Sequence, residues 1–105
     1  MDITIESPHV ELSHRLKKEI DTKIAQLGRM HEHIISCELV LKNEKDVEQQ
    51  NFHIEAKLLI PKSFLFAEEK AENFKTALDK LIENLRRQLH RHKEKSEDVR
   101  YKTNS

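Results

Sequence analysis

A periodic apolar stripe in the last third of the chain constrains its fold most strongly. Between residues 73 and 95, apolar side chains recur at steps of three and four, which is the spacing of a single helical face. The stripe consists of Phe74, Ala77, Leu78, Leu81, Ile82, Leu85 and Leu89. Asn73 precedes the stripe and is suited to cap the helix. Because such a stripe must be buried, we expect this helix to lie on a core.

The first third of the chain predicts a strand followed by a second helix. Residues 2–6 alternate apolar and polar side chains, which indicates a short strand. Ser13 is the predicted N-cap of a helix that runs to about Leu27. Gly28, the single glycine of the chain, is predicted to end this helix in a left-handed conformation.

The middle of the chain predicts three strands joined by short links. Residues 35–42 and 52–60 alternate in the same way, and a polar, acidic loop is expected between Asn43 and Asn51. A tight turn at residues 61–63 precedes a short last strand at residues 64–67. We expect Phe64 and Phe66 to pack in the core.

These elements predict an α+β fold in the form of a two-layer sandwich with the order β-α-β-β-β-α. Each clear strand has one apolar face, so both helices are expected on one face of a four-stranded sheet. A length of 105 residues fits one domain, which we assign to residues 1–95. Residues 96–105 have no apolar period and are predicted to form a disordered polar tail.

Charge is unevenly distributed although the formal net charge is zero, with 19 basic and 19 acidic residues. Lys80, Arg87, Arg91 and Lys95 align on one flank of the last helix, at about 100° per residue. Acidic residues gather elsewhere, and those at 68–72 are expected to lie near the positive end of that helix. A local positive surface attracts a polyanion even on a neutral protein, and nucleic acid is the leading candidate. The alternative is a solvated helix face without a binding role.

Other classes of function find little support in the sequence. The chain has one cysteine, so it forms no intrachain disulfide, and it contains no run of about 20 apolar residues. Residues 1–9 lack the basic start and apolar run of a signal peptide, so we do not expect one. We therefore expect a cytoplasmic protein. No Gly-rich phosphate loop or activated nucleophile is recognisable, so we expect neither an enzyme nor a small-molecule substrate or cofactor. The histidines and Cys37 lack the convergent spacing of a metal site, and His90 and His92 point about 200° apart on a helix.

Three stretches together resemble one protein family. They are VELSHRLKKEIDTKIAQL at residues 10–27, CELVLKNEK at residues 37–45 and ALDKLIENLRRQLHRHKEK at residues 77–95. In this order they are similar to the ribosome hibernation-promoting factors, also called ribosome-associated inhibitors or sigma-54 modulation proteins. The resemblance covers residues 1–95 and is to the short type of family member, which lacks a C-terminal dimerisation domain.

The resemblance implies a fold related to double-stranded RNA-binding domains and an inhibitory activity on translation. Members of the family bind the 16S rRNA of the small ribosomal subunit in its decoding groove. They block the messenger and transfer RNA sites there, which silences ribosomes during stress or stationary phase. By the same resemblance we expect a protein that is monomeric when free.

The predicted RNA contacts combine the helical spacing with this resemblance. They are Lys23, Arg29, Lys80, Arg86, Arg87, His90, Arg91, Lys93 and Lys95. The chain departs from the family at two positions, where Gln26 and Asn84 stand in place of the usual lysines. Two alternatives stay open: a protein-interaction module that modulates a transcription factor, and a generic duplex-RNA-binding domain.

Overall fold

Four strands and two helices follow one another in the predicted order. The computed structural model describes the backbone of residues 1–8, 10–44 and 51–104, and the side chains in these ranges up to residue 92. The elements are β1 (Asp2–Glu6), α1 (His14–Met30), β2 (Ser36–Asn43), β3 (Phe52–Ile60), β4 (Ser63–Ala71) and α2 (Phe74–Asn104).

The strands form one mixed sheet in the order β1-β2-β3-β4. β1 pairs with β2 in parallel, so α1 serves as the crossover between them. β2, β3 and β4 are joined as antiparallel neighbours, as their short links predicted. Both helices cover the same face of the sheet, and the predicted two-layer α+β sandwich is confirmed.

The core lies between this sheet face and the helices. Alternation along β3 places Ile54, Ala56 and Leu58 in the core, each no more than 1% exposed. From α2, Leu81 and Leu85 are fully buried in the same cluster. Complete burial of each such leucine stabilises the fold by about 1.5–3 kcal/mol relative to exposure, so the stripes fix how the helices are rotated about their axes.

Both predicted helix caps are confirmed. The Ser13 side chain accepts a hydrogen bond from the backbone N–H of Leu16 at 3.1 Å. The Asn73 side chain accepts one from the backbone N–H of Thr76 at 2.8 Å. Each cap satisfies one N–H that the first turn of a helix leaves without a partner.

The predicted end of α1 at Gly28 is wrong. The helix continues to Met30, and the backbone N–H of His31 still donates to the Leu27 carbonyl at 3.1 Å. Gly28 has no positive φ and does not act as a left-handed cap. A Cβ at Gly28 would lie 2.7 Å from the Met1 side-chain terminus, so the missing side chain makes room for Met1 instead.

The last strand is longer than predicted. Pro61 and Lys62 form the tight turn, and Ile60 pairs with Ser63 across it. β4 then pairs with β3 along its whole length and ends at Ala71. Two of its core-facing residues are alanines, whose weak hydrophobicity concealed the alternation of apolar and polar residues in the sequence. Backbone hydrogen bonds to β3 extend the strand beyond the predicted residues.

Two predictions about residues of β4 are wrong. Glu68 and Glu69 are strand residues, not charges at the start of α2, whose first turn holds no acidic residue. Phe64 and Phe66 are 56% and 49% exposed. They point to the sheet face away from the helices, because Leu65 and Ala67 take the inward positions.

The C-terminal helix also differs from its predicted length. α2 continues to Asn104, where a disordered tail was expected from residue 96. Residues 74–104 contain neither glycine nor proline, and extending an existing helix costs little compared with starting one. The predicted loop after Asn43 lies largely outside the described residues. Among the described helices, none is long and apolar enough to cross a membrane.

Replacing Gly28 by alanine tests its position inside α1. We expect Gly28→Ala to raise the free energy of unfolding by about 0.5–1 kcal/mol, because alanine favours a helix interior and the flexible tip of Met1 can move aside. Urea denaturation followed by circular dichroism measures this change. A loss of stability would show that Met1 does not move aside and that its contact with residue 28 requires glycine.

Candidate nucleic-acid interface

α2 has two polar flanks on opposite sides of its apolar stripe, and each contacts a different neighbouring element. On one flank, Lys80 Nζ donates to the carbonyl oxygen of Lys70 in β4 at 2.8 Å. On the other flank, Asp79 reaches across to Lys23 of α1. The apolar stripe lies between these flanks and is buried, so α2 presents one polar surface towards β4 and another towards α1.

Arg87 and Arg91 lie on the flank towards β4. Arg87 follows Lys80 by seven residues and Arg91 follows Arg87 by four, which places the three on one side of the helix. Both arginines are exposed. Neither makes an ion pair with a side chain in the part of the chain that the structure describes, so both guanidinium groups are available to an anionic partner.

Lys80 and two amides fasten this flank to the edge of the sheet. Asn84 Nδ2 donates to Glu69 Oε2 at 2.9 Å, and Asn84 Oδ1 accepts from Gln88 Nε2 at 2.7 Å. Gln88 Nε2 also lies 2.9 Å from the Phe66 carbonyl oxygen. Side chains of α2 thus cover two carbonyl groups of edge strand β4. This network gives Asn84 a structural role at a position where the resemblance predicted lysine.

Lys23 lies on the opposite flank and is already paired with acidic side chains. Its ammonium group donates to Asp79 and lies 3.4 Å from Glu19. The hydrogen bond to Asp79 is the main reason that the pKa of Lys23 is raised, against a smaller opposing effect of burial. A phosphate would have to compete with two carboxylates for this cation.

The other predicted contacts occupy mixed positions. Arg86 pairs with Glu83 at 3.5 Å, one helical turn away. Arg29 is exposed in the last turn of α1, and His90 is exposed on α2. The side chains of Lys93 and Lys95 lie outside the described residues. The structure therefore does not gather the predicted cations into one continuous ridge within its described part.

A groove between the two helices carries four basic residues, of which the sequence analysis named only Lys23. Arg15, Lys18 and Lys23 of α1 line it together with Lys75 of α2, and the acidic Glu19 lines it as well. Arg15 and Lys18 are three residues apart on one helical face, a signal that was visible in the sequence. Their proximity to Lys75 was not visible, because it depends on how the two helices pack. Gln26, the other departure from the family, also lines this groove.

Cys37 is part of the core and not of a site. It is fully buried, and burial raises the pKa of its thiol to about 12. The thiol is therefore neutral and behaves as a small apolar side chain, as its position on the inner face of β2 predicted.

The fold and its exposed arginines define a small α/β sandwich domain whose helical surface suits an anionic partner. The family model described as "Sigma 54 modulation protein / S30EA ribosomal protein" matches residues 3–97. The chain belongs to this family, and the resemblance drawn from its sequence is confirmed.

Individual relatives are similar over nearly their whole length. A ribosome hibernation promoting factor of Pseudomonas putida is 31% identical over 99 residues, covering 94% of this chain and 93% of the relative. One of Salmonella typhimurium is 34% identical over 96 residues, covering 90% and 96%.

Solved structures share the fold at lower sequence identity. A ribosomal subunit interface protein from Coxiella burnetii superposes with a TM-score of 0.80 at 19% identity, covering 89% of this chain and 98% of the other. The N-terminal domain of Thermus thermophilus Protein Y gives a TM-score of 0.75 at 19% identity, covering 88% and 99%. This likeness establishes the β-α-β-β-β-α architecture independently of the sequence matches.

Proposed function

We propose that this protein binds the small ribosomal subunit through its 16S rRNA and holds ribosomes inactive during stress or stationary phase. In this proposal it occupies the decoding groove and blocks the messenger and transfer RNA sites. The observation that carries the proposal is the family membership, since relatives named ribosome hibernation promoting factors are similar over nearly the whole chain. The exposed Arg87 and Arg91 supply groups suited to rRNA phosphates.

The proposed contacts are electrostatic and are made to the phosphate backbone of the RNA. Arginine binds phosphate oxygens with two parallel N–H donors, so Arg87 and Arg91 fix the helix against the RNA. The outer sheet face, which carries the exposed Phe64 and Phe66, holds three glutamates and three lysines from β2, β3 and β4. Two of those lysines, Lys42 and Lys70, are paired with Glu55 and Glu44, so this face presents less unpaired positive charge than the α2 flank with Arg87 and Arg91. We therefore assign RNA binding to the helical side of the molecule.

Charge reversal at the two arginines tests this assignment. We expect Arg87→Glu with Arg91→Glu to weaken binding to small subunits on the order of 100-fold, at about tenfold for each lost contact. The log–log salt dependence of affinity should become shallower by about 0.7–0.9 for each lost phosphate contact. Sedimentation with purified small subunits at several salt concentrations measures both quantities.

A matched control separates the site from total charge. Lys57→Glu with Lys62→Glu makes the same change in charge, but at the outer sheet face and the β3–β4 turn. We expect this control to bind within about threefold of the unmodified protein, because screening limits the range of exposed charges to about 10 Å. Equal losses in the two variants would reject the assignment of the interface to α2.

The pairing of Lys23 generates a second prediction. Asp79→Asn removes the carboxylate that engages Lys23 and should strengthen small-subunit binding by up to about fivefold, which corresponds to about 1 kcal/mol for one exposed ion pair. Asp21→Asn removes the same charge from α1, and Asp21 makes no ion pair with Lys23, so it serves as the control. Equal gains in both variants, or a gain that survives Lys23→Gln, would contradict a role for Lys23.

A second candidate function is favoured by the apolar part of the outer sheet face. Leu59 and Phe64 are paired across β3 and β4 and are 40% and 56% exposed, with Phe66 beside them. Such a surface is typical of contacts with proteins. Nuclease treatment distinguishes the two functions: a complex with the ribosome depends on intact RNA, whereas a complex with a protein partner such as a transcription factor survives digestion.

A further inference from the structure

A buried histidine lies on the sheet face that the helices leave open. Within the described residues, His53 is the one polar side chain classed as buried, at 6% exposure. Its neighbours Phe52 and Ile54 in β3 point towards the helices, so His53 itself points to the outer face. The register sets it between Lys42 of β2 and Lys70 of β4.

Carboxylates contact both nitrogens of its imidazole ring. Nδ1 lies 3.0 Å from Glu44 Oε1. Nε2 lies 3.0 Å from Glu68 Oε2 and 3.6 Å from Glu55 Oε1. Glu55 and Glu68 are directly opposite each other across β3 and β4, where two like charges are destabilising.

A neutral imidazole cannot donate a hydrogen bond to carboxylates at both of its nitrogens. A neutral imidazole carries one N–H, and if Nδ1–H donates to Glu44, the Nε2 lone pair faces two carboxylates. Lys42 compensates in part, since its Nζ lies 3.3 Å from Glu55 Oε1, but its ammonium does not reach Nε2 in any described contact. Either a proton or a metal ion at Nε2 resolves the repulsion.

The distances fit a metal ion. The donor atoms of His53, Glu55 and Glu68 all lie within 4.8 Å of one another. Zinc bonds of about 2.0–2.2 Å in a tetrahedron place neighbouring ligand atoms about 3.4 Å apart, and the two measured separations from Nε2 lie on either side of that value. Glu44 on Nδ1 matches the carboxylate that orients a metal-binding histidine.

We propose that His53 Nε2, Glu55 and Glu68 form a binding site for a divalent transition-metal ion of the zinc class, with Glu44 as the positioning residue. One imidazole nitrogen and two carboxylate oxygens leave a fourth position for water. The ion links β3 to β4 and neutralises their opposed glutamates. The site lies on the sheet face opposite the helices and does not depend on the proposed ribosome binding.

Metal titration of the full chain, first stripped with a chelator, tests the site. Zinc binding is measured by calorimetry, and cobalt binding by its visible absorption, which reports four-coordinate geometry. We expect Glu68→Gln to abolish the site. Glu44→Gln should weaken binding about 10- to 100-fold, the usual cost of losing an orienting carboxylate. Glu38→Gln makes the same substitution on the same face, outside the cluster, and should leave the affinity unchanged.

Two further measurements distinguish zinc bound at this site from zinc bound by other histidines. Zinc should shift the Nε2 resonance of His53 in the nitrogen-15 spectrum of the unmodified chain and should raise its Tm. Neither effect should occur in Glu68→Gln, whose metal-free Tm serves as the check that it is folded. Zinc binding that is equal in Glu68→Gln and the unmodified chain, or no binding at all, would overturn the proposal.

Discussion

Burial of the α2 stripe against β3 and β4 is the interaction on which the rest of the structure depends. Leu81 and Leu85 are fully buried, and their contact with the sheet fixes the rotation of α2 about its axis. That rotation decides which polar side chains meet β4, which meet α1 and which meet solvent. The exposure of Arg87 and Arg91 is therefore a consequence of packing. A rotation of the helix by one residue position would move both side chains by about 100° around the axis.

A neutral protein can keep a positive surface where its acidic side chains pair with other cations. Asp79 and Glu19 engage Lys23, and Glu83 engages Arg86. Glu44, Glu55 and Glu68 lie around His53 on the outer sheet face. Arg87 and Arg91 are left without acidic partners among the described side chains. The net charge therefore says little about binding, and the pairing of individual charges says more.

The sequence predicted features that depend on local periodicity, and it failed where register or packing decides. The caps at Ser13 and Asn73, the alternation in β3 and the stripe of α2 all follow from neighbours in the chain. Gly28 was misassigned because a glycine after an apolar stripe is typical of both a helix end and a close contact. The cluster at His53 was missed because its carboxylates converge only through the pairing of β3 with β4.

Arginine and lysine labelling of the free and ribosome-bound protein, read by mass spectrometry, tests the central claim most directly. The claim is that the α2 flank carrying Arg87 and Arg91 faces the rRNA, whereas the sheet faces away from it. It predicts that both arginines lose reactivity in the complex and that Lys57, exposed on the outer sheet face, keeps its reactivity. Protection of Lys57 with unchanged labelling of the two arginines would contradict the account.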